Sequence, residues 1–562
     1  MSKYNAGTYT GKGRGVKGEM VIDVTFDSDK ITDIKITKHE EIFGHAYGLK
    51  TSPFETFVPQ IIKYQSLAVP PVVGTEAVCN GIVKAVGDAA ELAGGKRADL
   101  EKTPVPTPKK KADKKMKTDI IVIGSGIAGL AAAVEAKYCG ADVILVEKQG
   151  VTGGSSALCG GKIIASGTKM QKAQGVLDTP EMLFEFLKNA AGNYLNDRRV
   201  MYFCQCAVKN LEWLEEQGLE VKDIEAPHAS LYPWRVHNSK GGGGSTMGWG
   251  GGFTQPLTFK FEEMGGHIIY NTGIQELLTK DGACVGAICK DELDGSLVTI
   301  SANSVIIATG GYSANRKVVE ERYPWMKGYY YNCPDSSLGE GADAAEAIGA
   351  RKYNHPYLQT MLLSMTCGCG VNEESGLIVT TAGKRFANEY MFHSMIGAEL
   401  ADTGSIGAYY ITCGQEPFPS VQYGFSTGGT AKASTVEELA KKIDMDPAVL
   451  KATVDRYNYL CDQAFDEDYQ KPASEMRALK GPEYCAIYMM PATSITFGGL
   501  EIDVAAQVLD NKGNAIPGLF AAGEVANTGN FGKGVPSCGY SIGHALHYGR
   551  VAARVATGKA ML

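Results

Sequence analysis

The chain has 562 residues, 44% hydrophobic and 21% charged, with a formal net charge of −7. That length exceeds one hydrophobic core and predicts two to four domains, while the acidic balance excludes a protein that grips nucleic acid through a basic field. No run reaches the roughly 18–20 apolar residues that cross a bilayer, and the amino-terminal MSKYNAGTYTGKGRG lacks the apolar stretch of a secretory signal, so no membrane span and a cytoplasmic location are expected.

Residues 1–95 read as one unit. GEMVIDVTFDSDKITDIKITKHE alternates apolar and polar residues through two strands, with Asp27-Ser28-Asp29 as the turn. GIVKAVGDAAELAGG then spaces its apolar residues by three and four, which predicts a helix closed by glycines. Residues 96–117, rich in Lys and Pro and nearly devoid of large apolar side chains, predict a semi-extended solvated linker.

From Thr118 the pattern changes. TDIIVIGSGIAGLAAAVEAKYCGADVILVEKQG predicts a strand at Ile120–Ile123, a turn carrying Gly124, Gly126 and Gly129, a helix from Ala128 to about Tyr138, and a strand at Asp142–Val146 ending on Glu147. In such a unit the first glycine makes the turn, the second admits a pyrophosphate and the third lets helix and strand pack. The helix N-terminus faces the diphosphate, and the acid about 20 residues on bonds a ribose hydroxyl. A glycine–serine loop follows directly, with Lys148, Gly153, Gly154, Ser155, Ser156 and Gly161. Farther on come Thr309-Gly310 in SVIIATGGYSANR and Gly523-Glu524 in IPGLFAAGEVANTG. Three separated signatures in this order predict non-covalent FAD rather than NAD, held in a Rossmann-type α/β domain. No second glycine pattern offers a nicotinamide site, which leaves NADH acting at the flavin, reduced flavin or a protein as the electron donor.

The 14 cysteines contain no CxxC or CxxCH pattern, and no metal centre is expected. Without an export signal they are read as reduced thiols. Cys284 and Cys289 have CxxxxC spacing but lie in a strand-like run, where an odd separation sends them to opposite faces. Cys367 and Cys369 are a better-spaced pair for redox or metal chemistry, set against the plainer reading of buried thiols.

On these motifs, together with DTPEMLFEFLKNAAGNYLNDRRVMYF, EGADAAEAIGA, His355-Pro356, GKRFANE at 383–389 and the GGLEID…VLDNKGNAIPGLFAAGEV tail, residues 118–555 resemble the fumarate reductase flavoprotein / 3-ketosteroid dehydrogenase superfamily. The amino-terminal unit resembles the small FMN-binding domain of urocanate-reductase-like enzymes. The resemblance implies an FAD domain (118–349 and 495–562), an inserted α+β capping domain (350–494) and a preceding α+β FMN-binding-like domain, with the active site between FAD domain and cap. It also implies hydride exchange between flavin N5 and one carbon of an activated bond, a cap side chain handling the proton on the other carbon. The place that holds arginine in fumarate reductases and tyrosine in 3-ketosteroid dehydrogenases is His393 here, with Tyr390 as second choice and His355 matching a substrate-binding histidine.

Departures narrow the expectation. In the tail loop NFGKGVPSCGYSIGHALHYGR the place of the arginine with which fumarate reductases clamp a carboxylate is not held by arginine, which argues against fumarate, although Lys533 keeps an enoate open. The GYSIG turn, with Gly539, Ser541 and Ile542, looks more like 3-ketosteroid dehydrogenases, where a backbone N–H polarises a ketone; the Gly539 turn is expected to do so here. Their upstream tyrosine corresponds to Val535. In the FMN-like unit the threonine that carries FMN is replaced by Glu76, in Val73-Gly74-Thr75-Glu76, so any FMN there is expected to be non-covalent. The leading reading is a reductase of an electron-poor C=C conjugated to a carbonyl, in a small-molecule enone or an aryl or heteroaryl enoate. The alternatives are a dehydrogenase running the reverse reaction and an electron-transfer flavoprotein with no substrate of its own.

Overall fold

Backbone alternation and close glycine contacts account for most of the architecture. The structure is a computed structural model that describes residues 2–15, 19–39, 52–72, 76–106, 108–226, 233–240, 250–334, 336–364, 369–370, 376–414 and 429–562. Strands β1 (Gly7–Arg14), β2 (Glu19–Phe26) and β3 (Ile31–Lys38) form an antiparallel sheet in that order. Met20, Ile22, Val24 and Phe26 point to one face of β2 and are buried there. Helix α1 (Glu76–Leu92) covers that face. A Cβ on Gly11 or Gly13 would stand 1.9 Å from the carbonyl oxygen of Ala85 or Gly81, so glycine alone permits this strand–helix approach. Residues 73–75 of the FMN-like motif lie outside the described residues, and Glu76 is the first residue of α1.

The 96–117 stretch is not solvated throughout, contrary to the linker expectation. Helix α2 (Arg97–Lys102) buries Leu100 in the amino-terminal core, and β4 (Lys114–Lys117) pairs in parallel with residues Val298–Ser301. One leucine suffices to dock a short helix, and Met116 alone packs inward from an edge strand whose three lysines stay exposed.

The central unit begins with β5 (Ile120–Ile123), α3 (Ile127–Tyr138) and β6 (Val143–Val146), close to the predicted bounds. It continues through α4 (Gly154–Leu158), β7 (Lys162–Ile164), α5 (Asp197–Glu216), β8 (Val221–Glu225) and β9 (Val236–Ser239). Then follow β10 (His267–Ile269), β11 (Thr272–Lys280), β12 (Ala283–Asp291), β13 (Leu297–Ser301) and β14 (Ser304–Ile307). Cys284 and Cys289 on β12 are buried free thiols whose surroundings push them up to about 11 and about 12, which keeps them protonated near neutrality. Cys367 lies outside the described residues, and of Cys369 only the backbone is described.

A second core gathers around β15 (Met361–Ser364), β16 (Leu377–Thr380), α6 (His393–Thr403), β17 (Ala408–Cys413), β18 (Thr430–Ala433) and the long β19 (Tyr484–Thr493). Strand β19 pairs antiparallel with β15, β17 and β18, and β16 pairs with β17. The chain then returns to the first core through β20 (Gln507–Leu509), β21 (Ala515–Ala521) and α7 (Tyr540–Ala556). The main sheet runs β10-β6-β5-β14-β21-β20, parallel except for β20. Strand order therefore reverses between β5 and β14, where open α/β sheets leave a crevice beyond the strand ends.

Candidate active site

At that crevice the three glycines of the first motif differ in the room each has. Gly124 has φ +97°, and a Cβ there would lie 2.4 Å from the Ala308 carbonyl oxygen. Gly129 would place one 1.9 Å from the Gly124 oxygen, so helix and turn touch backbone to backbone. A Cβ on Gly126 would meet nothing closer than Ser156 Oγ at 3.5 Å, so there is room here that a diphosphate could use. Gly126 is also the N-cap of α3 and brings no side-chain cap of its own.

Glu147 is buried. Its Oε2 accepts from the N–H (2.8 Å) and Oγ (2.5 Å) of Ser125, and its Oε1 from the N–H of Gln149 (2.8 Å). A carboxylate takes about four such bonds, so one acceptor direction on Oε1 is left that a ribose hydroxyl could use. Burial pushes its pKa up, opposed by these donors. Lys148 instead forms an ion pair with Glu340.

The other signatures converge on the same point. The N–H of Gly153 donates to the Ser125 carbonyl (2.9 Å), and Ser156 Oγ accepts from Ile127 N–H (3.1 Å) at the first turn of α3. Gly154 has φ +47° with open space beside it; Ser155 lies next to it on α4. Gly161, at φ +69°, gives its carbonyl to Ser239 N–H (2.8 Å). Thr309 Oγ1 is buried without a hydrogen-bond partner beside Gly310 at φ +72°, an orphan polar atom of the kind a polar ligand satisfies. A Cβ on Gly523, which has φ +78°, would stand 3.0 Å from the Ala128 methyl. Glu524 accepts from the N–H (2.8 Å) and Oγ1 (3.0 Å) of Thr496, and desolvation raises its pKa to about 7. An open cradle, an orphan hydroxyl and two acids held by fixed donors fit a flavin dinucleotide.

Gly539, at φ +82°, is the N-cap of α7; its carbonyl accepts from Ile164 N–H (3.3 Å), and Ser541 and Ile542 follow in the first turn. The turn thus sits on β7, just beyond Gly161 of the glycine–serine loop.

His393 is the first residue of α6, its ring 4.0 Å from that of Phe392, and Tyr390 is buried just upstream. The helix start meets the tail loop: Ser394 Oγ accepts from Val535 N–H at 3.0 Å. His355 was expected to touch substrate, but both ring nitrogens serve the backbone. Nδ1 accepts from Tyr357 N–H (3.1 Å) and Nε2 donates to the Phe531 carbonyl (3.2 Å), and burial lowers its pKa. Lys533 also departs from expectation. Its ammonium pairs with the protein's own carboxylates, Asp402 (2.6 Å) and Glu399 (3.4 Å) on α6, where the expectation was a substrate carboxylate.

Sequence reasoning passed over Ser125, Thr496 and Ser394. Ser125 had a signal, since it stands inside the glycine motif 22 residues before the acid it serves. Thr496 and Ser394 reach partners across the fold and had none.

No helix among the described residues is long and apolar enough to cross a membrane, and no group of three or more potential metal ligands occurs there. Residues 119–542 match the model of a family described as FAD binding domain. The chain is 31% identical to a fumarate reductase (cytochrome) of Shewanella frigidimarina over 77% of this chain and 76% of that one. It is 28% identical to a urocanate reductase of Eggerthella lenta, over 97% and 91%. With an NADH:acrylate oxidoreductase of Vibrio harveyi it shares 27% identity over 99% of its own length but spans only 61% of that protein. Among solved structures it is similar to a 3-ketosteroid-Δ4-(5α)-dehydrogenase of Rhodococcus jostii RHA1 in complex with 4-androstene-3,17-dione, with TM-score 0.68 and 26% identity over 80% of this chain and 100% of that one.

Proposed function

Since the chain belongs to the FAD binding domain family over residues 119–542, we propose that it is an FAD-dependent oxidoreductase that reduces an electron-poor C=C conjugated to a carbonyl. FAD, when bound, supplies the hydride. In this reading His393 gives the proton to the second carbon, and the Gly539 turn polarises the carbonyl. A histidine suits the donor role because it titrates near neutrality. Relatives named for urocanate and acrylate, and a structural neighbour that binds an androstenedione, support a C=C substrate as a class.

The observation that carries this reading is the junction of α6 with the tail loop through Ser394 and Val535, which brings the His393 end of the helix to the loop that leads into Gly539. The pairing of Lys533 with Glu399 and Asp402 favours an uncharged enone, or a monocarboxylate recognised without that lysine, over fumarate. The second reading, a dehydrogenase that inserts the double bond, uses the same residues; it draws on the GYSIG turn and the ketosteroid dehydrogenase neighbour. In this reading residues 350–494 are the cap, NADH, reduced flavin or a protein is the donor, and any FMN near Glu76 is non-covalent.

The test is anaerobic reduction of the purified flavoprotein followed by reoxidation with enones, aryl and heteroaryl enoates, and fumarate. Enones or aryl enoates should reoxidise it faster than fumarate; if no unsaturated acceptor does, the reductase reading fails. His393→Ala should slow turnover by a factor on the order of 10²–10⁴ with FAD retained.

A further inference from the structure

The tail loop holds the rest of the fold at alternate residues. The carbonyl of Phe531 accepts from His355, the ammonium of Lys533 pairs with Glu399 and Asp402, and the N–H of Val535 donates to Ser394. Two of these three ties end on α6, whose first residue is His393. The helix itself is divided between two cores: Ile396 and Leu400 pack with the second core, whereas Phe392 and Met395 pack with the core of the main sheet. A helix with its N-terminal end in one core and its body in the other can shift along its axis unless something fixes its register.

We propose that residues 533–535 set this register, with Ser394 as the positioning residue for His393 acting through the backbone of Val535. Ser394 is fully buried and Val535 only 4% exposed, so water cannot replace the bond between them. The approach is close along the whole contact: a Cβ on Gly534 would stand 2.8 Å from the Ser394 carbonyl oxygen and 2.9 Å from Met395 Sδ. A side chain at 534 would therefore push the first turn of α6 outward. Position 535 works here through its N–H, and its side chain lies in the core. Lys533 provides the second tie about two turns farther along, where Glu399 and Asp402 share a helix face. Together the two ties fix both the depth and the rotation of the helix that presents His393.

This inference rests on the reading of His393 as proton donor, and the test separates the two. Hydrogen–deuterium exchange of the peptide spanning Val535 is measured in the FAD-loaded protein and in Ser394→Ala, alongside steady-state kinetics. The expected result is exchange at least roughly 10-fold faster in that peptide, a fall in kcat of about 10-fold or more with KM changed less than about 3-fold, and unaltered flavin absorbance. Ser394→Thr, which keeps the hydroxyl, should restore both readouts. If Ser394→Ala does not accumulate, Lys533→Gln removes the second tie at a partly exposed site; it should speed exchange in the same peptide and lower kcat at least about 3-fold. Unchanged exchange and kcat in these variants, with His393→Ala still impaired, overturn the positioning role alone. An unimpaired His393→Ala overturns the proton-donor reading and this role with it.

Discussion

Replacing Arg385 with methionine should destabilise the core around β19 by about 3–5 kcal/mol, because it strands two buried acids. Its guanidinium makes two forked pairs: Nε and Nη2 donate to Glu389 at 2.8 and 2.7 Å, and Nη1 and Nη2 donate to Asp466 at 3.0 and 2.8 Å. The side chains of Glu389 and Asp466 are 0% exposed and that of Arg385 is 6% exposed, so water screens none of this. The rings of Tyr457 and Tyr469 lie 5.0 and 4.9 Å from the guanidinium. Without it, Glu389 keeps Lys471 at 3.5 Å as its nearby cation, and Asp466 keeps only backbone donors from Asp468, Tyr469 and Lys471. Arg385→Lys preserves the charge but not the fork and should fall between the two. The assay is urea unfolding followed by circular dichroism, comparing midpoints with the slope held common. The same variant should also disturb the 389–393 segment that leads into His393, so FAD retention with reduced turnover is expected at low urea. A shift below about 1 kcal/mol for Arg385→Met would refute the reasoning, because stranded buried carboxylates cost more than that.

His547 lies in the core beside Tyr548 and Tyr202, and burial, helped by Arg550, lowers its pKa from 6.5 to about 3. The folded state keeps it neutral, so its contribution is complete above pH 6.5 and is lost as pH falls toward 3; at pH 5 the loss is about 2 kcal/mol at ~1.4 kcal/mol per pKa unit. His547→Gln should show a pH 8 to pH 5 stability loss smaller by that amount, and an equal loss in both proteins would contradict the assignment. Glu524 behaves in the opposite sense. Its folded pKa of about 7 stands above the 4.5 of a free carboxyl, so FAD-free protein should lose stability as pH rises from 4.5 through 7, and thermal melts of Glu524→Gln should lack that slope.

Legibility followed the range of the interactions. The β5–α3–β6 unit was readable because every constraint in it is local: the strand, the turn glycines and the acid lie within 30 residues, and Gly124 and Gly129 touch each other directly. The convergence of Thr309 and Gly523 on α3 was readable only as an order of motifs, since the contact that unites them, Ala308 against Gly124, depends on β14 pairing with β5. The 96–117 stretch was misread because composition averages over residues, whereas docking required only Leu100 and Met116. The engagement of Lys533 was invisible for a similar reason. Its partners lie more than 130 residues earlier, on a helix whose exposed acids look like any solvated face.

This difference in range bears on where specificity is free to change. In the cradle the constraint is on residue type: a side chain at Gly124 or Gly129 would meet a backbone oxygen within 2.4 Å, so those positions cannot vary without moving the fold. In the tail loop several ties end on backbone atoms, namely the Phe531 carbonyl, the Val535 N–H and the Gly539 carbonyl. A backbone tie holds the loop in register whatever side chain the residue carries. Phe531 and Val535 are buried in the core of the main sheet, so only apolar groups of similar size can replace their side chains while the backbone ties keep the loop in place.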